Sequence, residues 1–239
     1  MKKIFPGEFS DLLNRKGLSI YKKEHIINSN EKVTVINNII KPDYISAIQN
    51  KLGLFLYPHL KKLYSPIDPK WMKTTKYNFH DRLGKTMRVK SAVLNTKTSN
   101  AFSIASEMGL IQMLNSESFR KMGETIMNLT FGASIGKQLM CYENGDFVSP
   151  HTDYLPEHPN LKNGYFDIHL MFSSEHVKHQ TLIYEQNGLL NNVINIAASS
   201  GVAVYHLPFW HYTTPLITKK NQQLAGRRWL ILHSFEEPV

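Results

Sequence analysis

The residues best suited to chemistry are His151 and Asp153, at the end of the stretch Tyr142-Glu-Asn-Gly-Asp-Phe-Val-Ser-Pro-His151-Thr-Asp153. Side chains alternate across a β-strand, so a His-x-Asp pair on a strand puts both groups on one face, about 6–7 Å apart along the chain. One imidazole nitrogen and one carboxylate oxygen then reach a single metal ion. A second histidine completes a facial set of two nitrogens and one oxygen, a donor set that suits Fe(II) with open positions opposite. The chain has 11 histidines, so a chance His-x-Asp is common and the third donor decides.

The downstream candidates are His169, His176, His179, His206, His211 and His233. His211 is preferred. It follows the strand-like Val202-Ala-Val-Tyr-His206 and the turn Leu-Pro-Phe-Trp210, and it opens Tyr212-Thr-Thr-Pro-Leu-Ile217. That order places it on a late strand facing an early one across a barrel mouth, with His206 as its competitor. His169 reads as a core histidine with its hydrogen bonds satisfied. Further on, Gly226-Arg227-Arg228-Trp-Leu-Ile-Leu232 puts an arginine at the start of the last apolar strand. A buried guanidinium is costly unless it meets an anion, and a carboxylate is its natural bidentate partner. Alternation turns one of Arg227 and Arg228 inward and leaves open which. The implied ligand is a dicarboxylate whose other end chelates the metal. Arg228, on a strand neighbouring that of His211, is the reading adopted.

The elements that must position these groups lie after about residue 135. Eight short runs read as strands: 137–142, 147–154, 165–172, 181–184, 193–197, 202–206, 211–217 and 228–233. Turn chemistry separates them at Asn144-Gly145, Asn163-Gly164, Asn187-Gly188, Ser200-Gly201 and Gly226. This density of strands and turns predicts a double-sheet jelly roll or barrel. The first half predicts a short helix near 9–15, a strand at 32–36, and a helix opened by Pro42 and ended or kinked by Pro58. A strand at 87–94 and helices at 101–114 and 116–129 follow, the last capped by Ser116. Residues 64–86, with Trp71, Tyr77, Phe79 and Arg82, read as a long aromatic loop that could roof the site. The loop 154–163, with Pro156 and Pro159, reads as a lid. The fold class is α+β, mainly β: one domain over 1–239, with 1–130 as a helical and loop support layer and 131–236 as a double-stranded β-helix core.

Composition narrows the class. Hydrophobic residues make up 42% and charged residues 20% of 239 residues, ordinary for a soluble globular chain with a sizeable core. Cys141 is the only cysteine, so no intramolecular disulfide is available. The N-terminus lacks the apolar core of a secretory signal, and no apolar run is long enough to span a bilayer, which predicts a cytoplasmic protein. The net charge of +9 comes as scattered pairs such as Lys61-Lys62 and Lys219-Lys220, without a polybasic block. That pattern argues against nucleic acid and membrane and is compatible with a small acidic substrate.

The run from Tyr142 to Phe235 resembles the double-stranded β-helix core of the Fe(II)/2-oxoglutarate-dependent dioxygenases, the prolyl-hydroxylase-like branch in particular. The matching pieces are Cys-Tyr142-x-x-Gly145-x-x-x-x-x-His151-x-Asp153, then Gly201-Val-Ala-Val-Tyr with His211-Tyr-Thr-Thr-Pro-Leu, then Gly226-x-Arg228. They occur in the family's order, within less than half of the chain.

The resemblance implies His151, Asp153 and His211 as iron ligands, Arg228 on the distal carboxylate of 2-oxoglutarate, and Tyr142 and Thr213 as further co-substrate contacts. It also implies O₂ as oxidant, a small-molecule, amino-acid-derived or peptidyl substrate, hydroxylation of a C–H bond, and release of succinate and CO₂. Asp153 stands where related halogenases carry a small residue, which favours hydroxylation. Two departures stand out: His206 replaces an aromatic or aliphatic strand residue, and Asp167-Ile-His169-Leu-Met-Phe172 lacks the family's common Arg or Thr. The rival functions are a nucleic-acid demethylase of the same superfamily and a cupin-like metal protein that uses no oxo-acid.

Overall fold

A computed structural model of the chain describes residues 3–23, 32–65, 87–153 and 164–238. The strands, in chain order, are β1 (Val33–Asn37), β2 (Lys61–Ser65), β3 (Met87–Val93), β4 (Ser134–Tyr142), β5 (Phe147–His151), β6 (Tyr165–Ser173), β7 (Val177–His179), β8 (Thr181–Gln186), β9 (Leu189–Asn195), β10 (Ser200–Leu207), β11 (His211–Thr213), β12 (Ile217–Thr218) and β13 (Arg228–Glu236). All but β7 and β12 join one antiparallel sheet in the order β1-β10-β6-β13-β4-β3-β5-β11-β8-β9, with β2 on β3. The sheet folds over at β3. Its first residues, Met87 and Arg88, pair with β5, while Lys90 to Val93 pair with β4. One layer is therefore β1-β10-β6-β13-β4 and the other β5-β11-β8-β9, the two faces of a jelly roll.

Alternation along the strands sorts side chains between two cores. From β6, Phe166, Ile168, Leu170 and Phe172 pack outward with Leu139, Cys141, Trp229 and Ile231 against the helices. The opposite face of the same layer supplies Tyr142, Met171, Tyr205 and Leu230, which meet Val148, Leu182 and Ile196 from the other layer. β6 is buried along its whole length because it is covered on both faces.

The first half is more than a helical and loop layer, since β1, β2 and β3 belong to the main sheet, and its helices differ in detail from those expected. A 3₁₀ turn at Phe9–Leu12 and a helix at Arg15–Tyr21 replace the single helix near 9–15. The helix Pro42–Lys51 runs into a π-helical turn at Leu52–Leu56 and ends in a 3₁₀ turn, Tyr57–His59, that contains Pro58. The stretch 101–114 is two helices, Asn100–Glu107 and Leu110–Leu114, broken where Gly109 turns left-handed at φ +82°. Ser116 caps Glu117–Met127 by accepting from the Phe119 amide, as its type predicts. Tyr64 and Ser65 belong to β2 and not to a loop. The rest of the expected aromatic roof and the expected lid, including Trp71, Tyr77, Phe79, Arg82, Pro156 and Pro159, lie outside the described residues.

Three strand assignments change. The run 211–217 is two strands, β11 and β12, since Pro215 offers no amide to a ladder. β12 pairs with β7, which lacks a clear alternation in the sequence. β5 ends at His151, so Asp153 is not a strand residue.

Candidate active site

The turn between β4 and β5 fixes the entry to the site. Asp146 accepts from the Glu143 amide (2.8 Å) and from Arg88 Nε (2.8 Å), and Gly145 takes φ +80°, where glycine carries no Cβ penalty. β5 then delivers His151 beside β11, where His151 and His211 are paired residues. This corrects the expectation that His211 faces the early strand across the barrel; the two strands are neighbours. Asp153 joins them by a different route from strand alternation. The chain leaves β5 and Asp153 adopts a left-handed φ of +52°, which swings its carboxylate back.

The three donors converge. Asp153 Oδ2 lies 3.2 Å from His151 Nε2 and 3.4 Å from His211 Nε2. All three ligand atoms fall within 4.8 Å of one another, and no other such group occurs among the described residues. The second nitrogen of each ring is already committed. His151 Nδ1 is 2.6 Å from the Ser149 carbonyl and His211 Nδ1 is 3.0 Å from the Phe209 carbonyl. A carbonyl can only accept, so both Nδ1 atoms carry a hydrogen, and Nε2 is the atom each ring turns toward the carboxylate. Two imidazole Nε2 atoms beside one carboxylate oxygen are the donor set of a divalent metal, and the carbonyls are the outer contacts such ligands need. His206 does not take part. It stacks on Phe166 at 4.5 Å and points to Glu237 (3.2 Å) at the rim.

The triad opens on a cavity of about 230 Å³ whose closed end holds Arg228. The guanidinium is 1% exposed. It donates from Nε to the Ile196 carbonyl (3.0 Å), from one terminal nitrogen to Gln180 Oε1 (3.4 Å), and approaches Met171 Sδ with the other (3.2 Å). Among the described residues it has no carboxylate partner, and burial lowers its pKa. A buried cation held by two weak neutral acceptors has spare donors for an anion. Arg227 turns the other way, over the Tyr57 ring at 3.9 Å and toward Glu143 at 3.4 Å. β13 pairs with β4 and β6, so Arg228 faces the triad from the opposite layer and not from a neighbouring strand, as the sequence suggested.

The Tyr142 ring lies 5.3 Å from the guanidinium, its hydroxyl pushed up to about 12 by burial and drawn down by Arg228. Thr213 lines the cavity, but its hydroxyl accepts from the Val148 amide (3.0 Å) across the irregular β5–β11 pairing. Its visible role is to hold those strands together.

Sequence reasoning missed Gln180 and the Asp167/His169 pair. His169 is buried and lines the cavity, yet neither ring nitrogen has a hydrogen bond, which corrects its reading as a satisfied core histidine. The signal was present: Asp167 and His169 are the two polar residues of an otherwise apolar strand core, Phe166 to Phe172, at alternating positions.

With this geometry in hand, solved structures supply a frame. Over 94% of this chain and 92% of the other, the structure superposes on an oxidoreductase of the 2OG-Fe(II) oxygenase family from Burkholderia pseudomallei with a TM-score of 0.60 and 10% identity. A Pseudomonas putida prolyl-4-hydroxylase matches over 93% of this chain and 100% of its own, at TM-score 0.53 and 9% identity. The fold is that of the 2OG-Fe(II) oxygenases. A third structure of this fold, the non-heme alpha ketoglutarate dependent carbocyclase SnoK from nogalamycin biosynthesis, matches over 95% of this chain and 85% of that chain, at TM-score 0.53 and 8% identity. No protein-family model matches the sequence, and no curated protein matches it. Among the described residues, no helix is long and apolar enough to cross a membrane.

Proposed function

We propose that the protein is an Fe(II)- and 2-oxoglutarate-dependent oxygenase that hydroxylates a C–H bond of a small-molecule, amino-acid-derived or peptidyl substrate, with release of succinate and CO₂. The observation that carries this reading is the opposition, in one cavity, of a two-histidine, one-carboxylate set and a buried arginine without an anion. His151, Asp153 and His211 would hold the metal through Nε2, Oδ2 and Nε2. Bound iron supplies the binding and activation of O₂ that a C–H oxidation needs.

The chain's own residues do the rest. Arg228 holds the distal carboxylate of the oxo-acid, with Gln180 and the Ile196 carbonyl fixing the plane of the guanidinium. Tyr142 lies against that cation and lines the same cavity, which supports its hydroxyl as a further co-substrate contact. Val148, Leu182, Ile196 and Leu230 wall the closed end and keep water from the carboxylate pair, which strengthens it. The Ser149 and Phe209 carbonyls fix the orientation of both imidazoles, so that Nε2 of each ring faces Asp153.

The test is anaerobic titration of metal-free protein with Fe(II) and 2-oxoglutarate, following the weak visible charge-transfer band, then succinate release in air with a substrate panel. Expected are a band that needs both components and succinate that needs iron and is lost in Asp153→Ala. Iron-independent turnover, or metal binding that persists without any oxo-acid requirement after Arg228→Met, would instead favour a cupin-like metal protein.

A further inference from the structure

Asp167 and His169 are the part of the cavity that metal and co-substrate leave unused. Both are buried, 8% and 7% exposed, and both line the cavity from β6. Asp167 Oδ1 and both ring nitrogens of His169 have no hydrogen-bond partner. Their contact with each other, His169 Nε2 to Asp167 Oδ2, is 3.6 Å, too long for a hydrogen bond. A buried carboxylate and a buried imidazole with this much unused capacity are costly unless a ligand supplies the donors.

Strand register sets the dyad apart from the position of the arginine that would hold the oxo-acid. Arg228 pairs with Ser173, whereas His169 and Asp167 pair with Leu232 and Ser234, four and six residues farther along β13. At strand rise that places their backbones roughly 13 and 20 Å from that of Arg228, whose guanidinium reaches as far as Met171 Sδ (3.2 Å), two residues short of the His169 position. The terminal carbons of a five-carbon diacid lie only about 5 Å apart, four C–C bonds. The closed end at Arg228 is also the deep end. Leu232, Ser234, Gln138 and Ile135, which line the cavity beside the dyad, are half-buried, while Ile196, whose carbonyl accepts from Arg228, is buried. A substrate entering from the mouth meets the dyad first.

The dyad also touches the metal site through single side chains. The Tyr205 ring lies 4.1 Å from that of His169 and 5.8 Å from that of His211, and the Tyr165 hydroxyl donates to the Asp153 carbonyl (3.0 Å). A group seated on the dyad is thus about one aromatic ring from the triad. No third ligating group joins Asp167 and His169 among the described residues, so the pair is not a second metal site.

We infer that Asp167 and His169 form the recognition site for a positively charged amino group of the substrate, so that the enzyme oxidises a C–H bond of an amine-bearing compound. The inference rests on the oxygenase reading for the reaction, but not for the binding. The carboxylate offers the charge and acceptors an ammonium needs, the imidazole nitrogens further polar contacts, and the Tyr205 ring, 4.1 Å from that of His169, an aromatic neighbour that favours a cation. This locates a cationic group where the net charge of +9 alone suggested an anionic substrate.

The experiment is calorimetric titration with phenethylamine and cadaverine, against their carboxylate counterparts hydrocinnamate and pimelate. It uses protein loaded with Mn(II) and 2-oxoglutarate, then metal-free protein. The expected result is saturable binding of the amines and not of the acids. Binding should weaken about tenfold or more in Asp167→Asn and His169→Ala, with the affinity for 2-oxoglutarate unchanged within about twofold. That unchanged affinity, or a cooperative melt where 2-oxoglutarate does not bind, certifies the variants as folded. Binding of the acids in place of the amines, equal amine binding by Asp167→Asn, or no amine binding by the wild type overturns the inference. Amine binding without any 2-oxoglutarate binding would leave the dyad standing and remove the oxygenase reading.

Discussion

His151 and His211 are direct cross-strand partners, with ring centroids 4.2 Å apart and planes inclined at 52°. Each ring is pinned by a backbone carbonyl two residues before it in its own chain segment, so both Nε2 atoms are aimed before any metal arrives. Such a site costs little reorganisation on binding, and metal should act as a stabilising ligand. At a free metal concentration about 100 times Kd the gain is about 2.7 kcal/mol. Differential scanning fluorimetry with Zn(II) or Mn(II) should show a rise in Tm for the wild type that chelator reverses. His151→Ala and His211→Ala should show none; a full rise in either variant places the metal elsewhere.

Asp153 tests the left-handed turn that replaces strand alternation. A non-glycine residue at φ +52° carries a penalty that glycine avoids and alanine does not. Both Asp153→Gly and Asp153→Ala lose the carboxylate and the metal. Metal-free Asp153→Gly should nevertheless be the more stable of the two by about 1 kcal/mol in urea denaturation. Equal stability, or alanine ahead, would mean that the residue is extended, as the His-x-Asp spacing alone implies.

Arg228 separates stability from binding. Its guanidinium is buried without an anion, so replacing it by methionine removes a desolvation cost while losing the bonds to Ile196 and Gln180 and the weaker contacts with Met171 Sδ and the Tyr142 ring. Metal-free Arg228→Met should melt within a few degrees of the wild type, or above it. Loss of one member of a buried charge pair costs at least about 2 kcal/mol, so 2-oxoglutarate affinity should fall by ~30-fold or more in titration calorimetry. A large loss of stability with intact affinity would make Arg228 a structural residue.

The jelly roll was legible because alternation and turn residues are local signals: β4, β6, β10 and β13 start within three residues of their expected places. Residue types and order single out His151, Asp153 and His211, but the expected alternation is not what gathers them: Asp153 lies beyond β5 in a left-handed turn, and burial cost points only to an inward arginine in general. What alternation cannot give is pairing. It left Arg227 and Arg228 equivalent until the register of β13 against β6 turned Arg228 into the cavity and Arg227 toward Glu143. It also set β11 across the barrel from β5, when the two are adjacent. His169 was misread because hydrogen-bond satisfaction depends on neighbours from β10 and β13 that no local window contains.

His233 makes acid stability a measurable property of the outer core. It is 2% exposed, Nδ1 donating to the Leu114 carbonyl (2.9 Å) and Nε2 accepting from the Ser134 hydroxyl (2.7 Å). Burial, helped by nearby Lys137, pushes its pKa down to about 3, against an ordinary 6.5. Between those values the unfolded chain binds a proton that the folded chain refuses, so stability falls as pH falls. The contribution is intact above pH 6.5 and is lost progressively toward pH 3, with a slope of up to about 1.4 kcal/mol per pH unit from this one group. Urea denaturation of metal-free wild type and His233→Gln at several pH values from neutral to acid isolates it, because every other side chain is common to both proteins. The variant should be the less stable at neutral pH, having lost a well-bonded ring, and the gap should close or reverse on acidification. Parallel stability curves would show that His233 is protonated in the folded protein and that the Ser134 hydroxyl does not face a neutral Nε2.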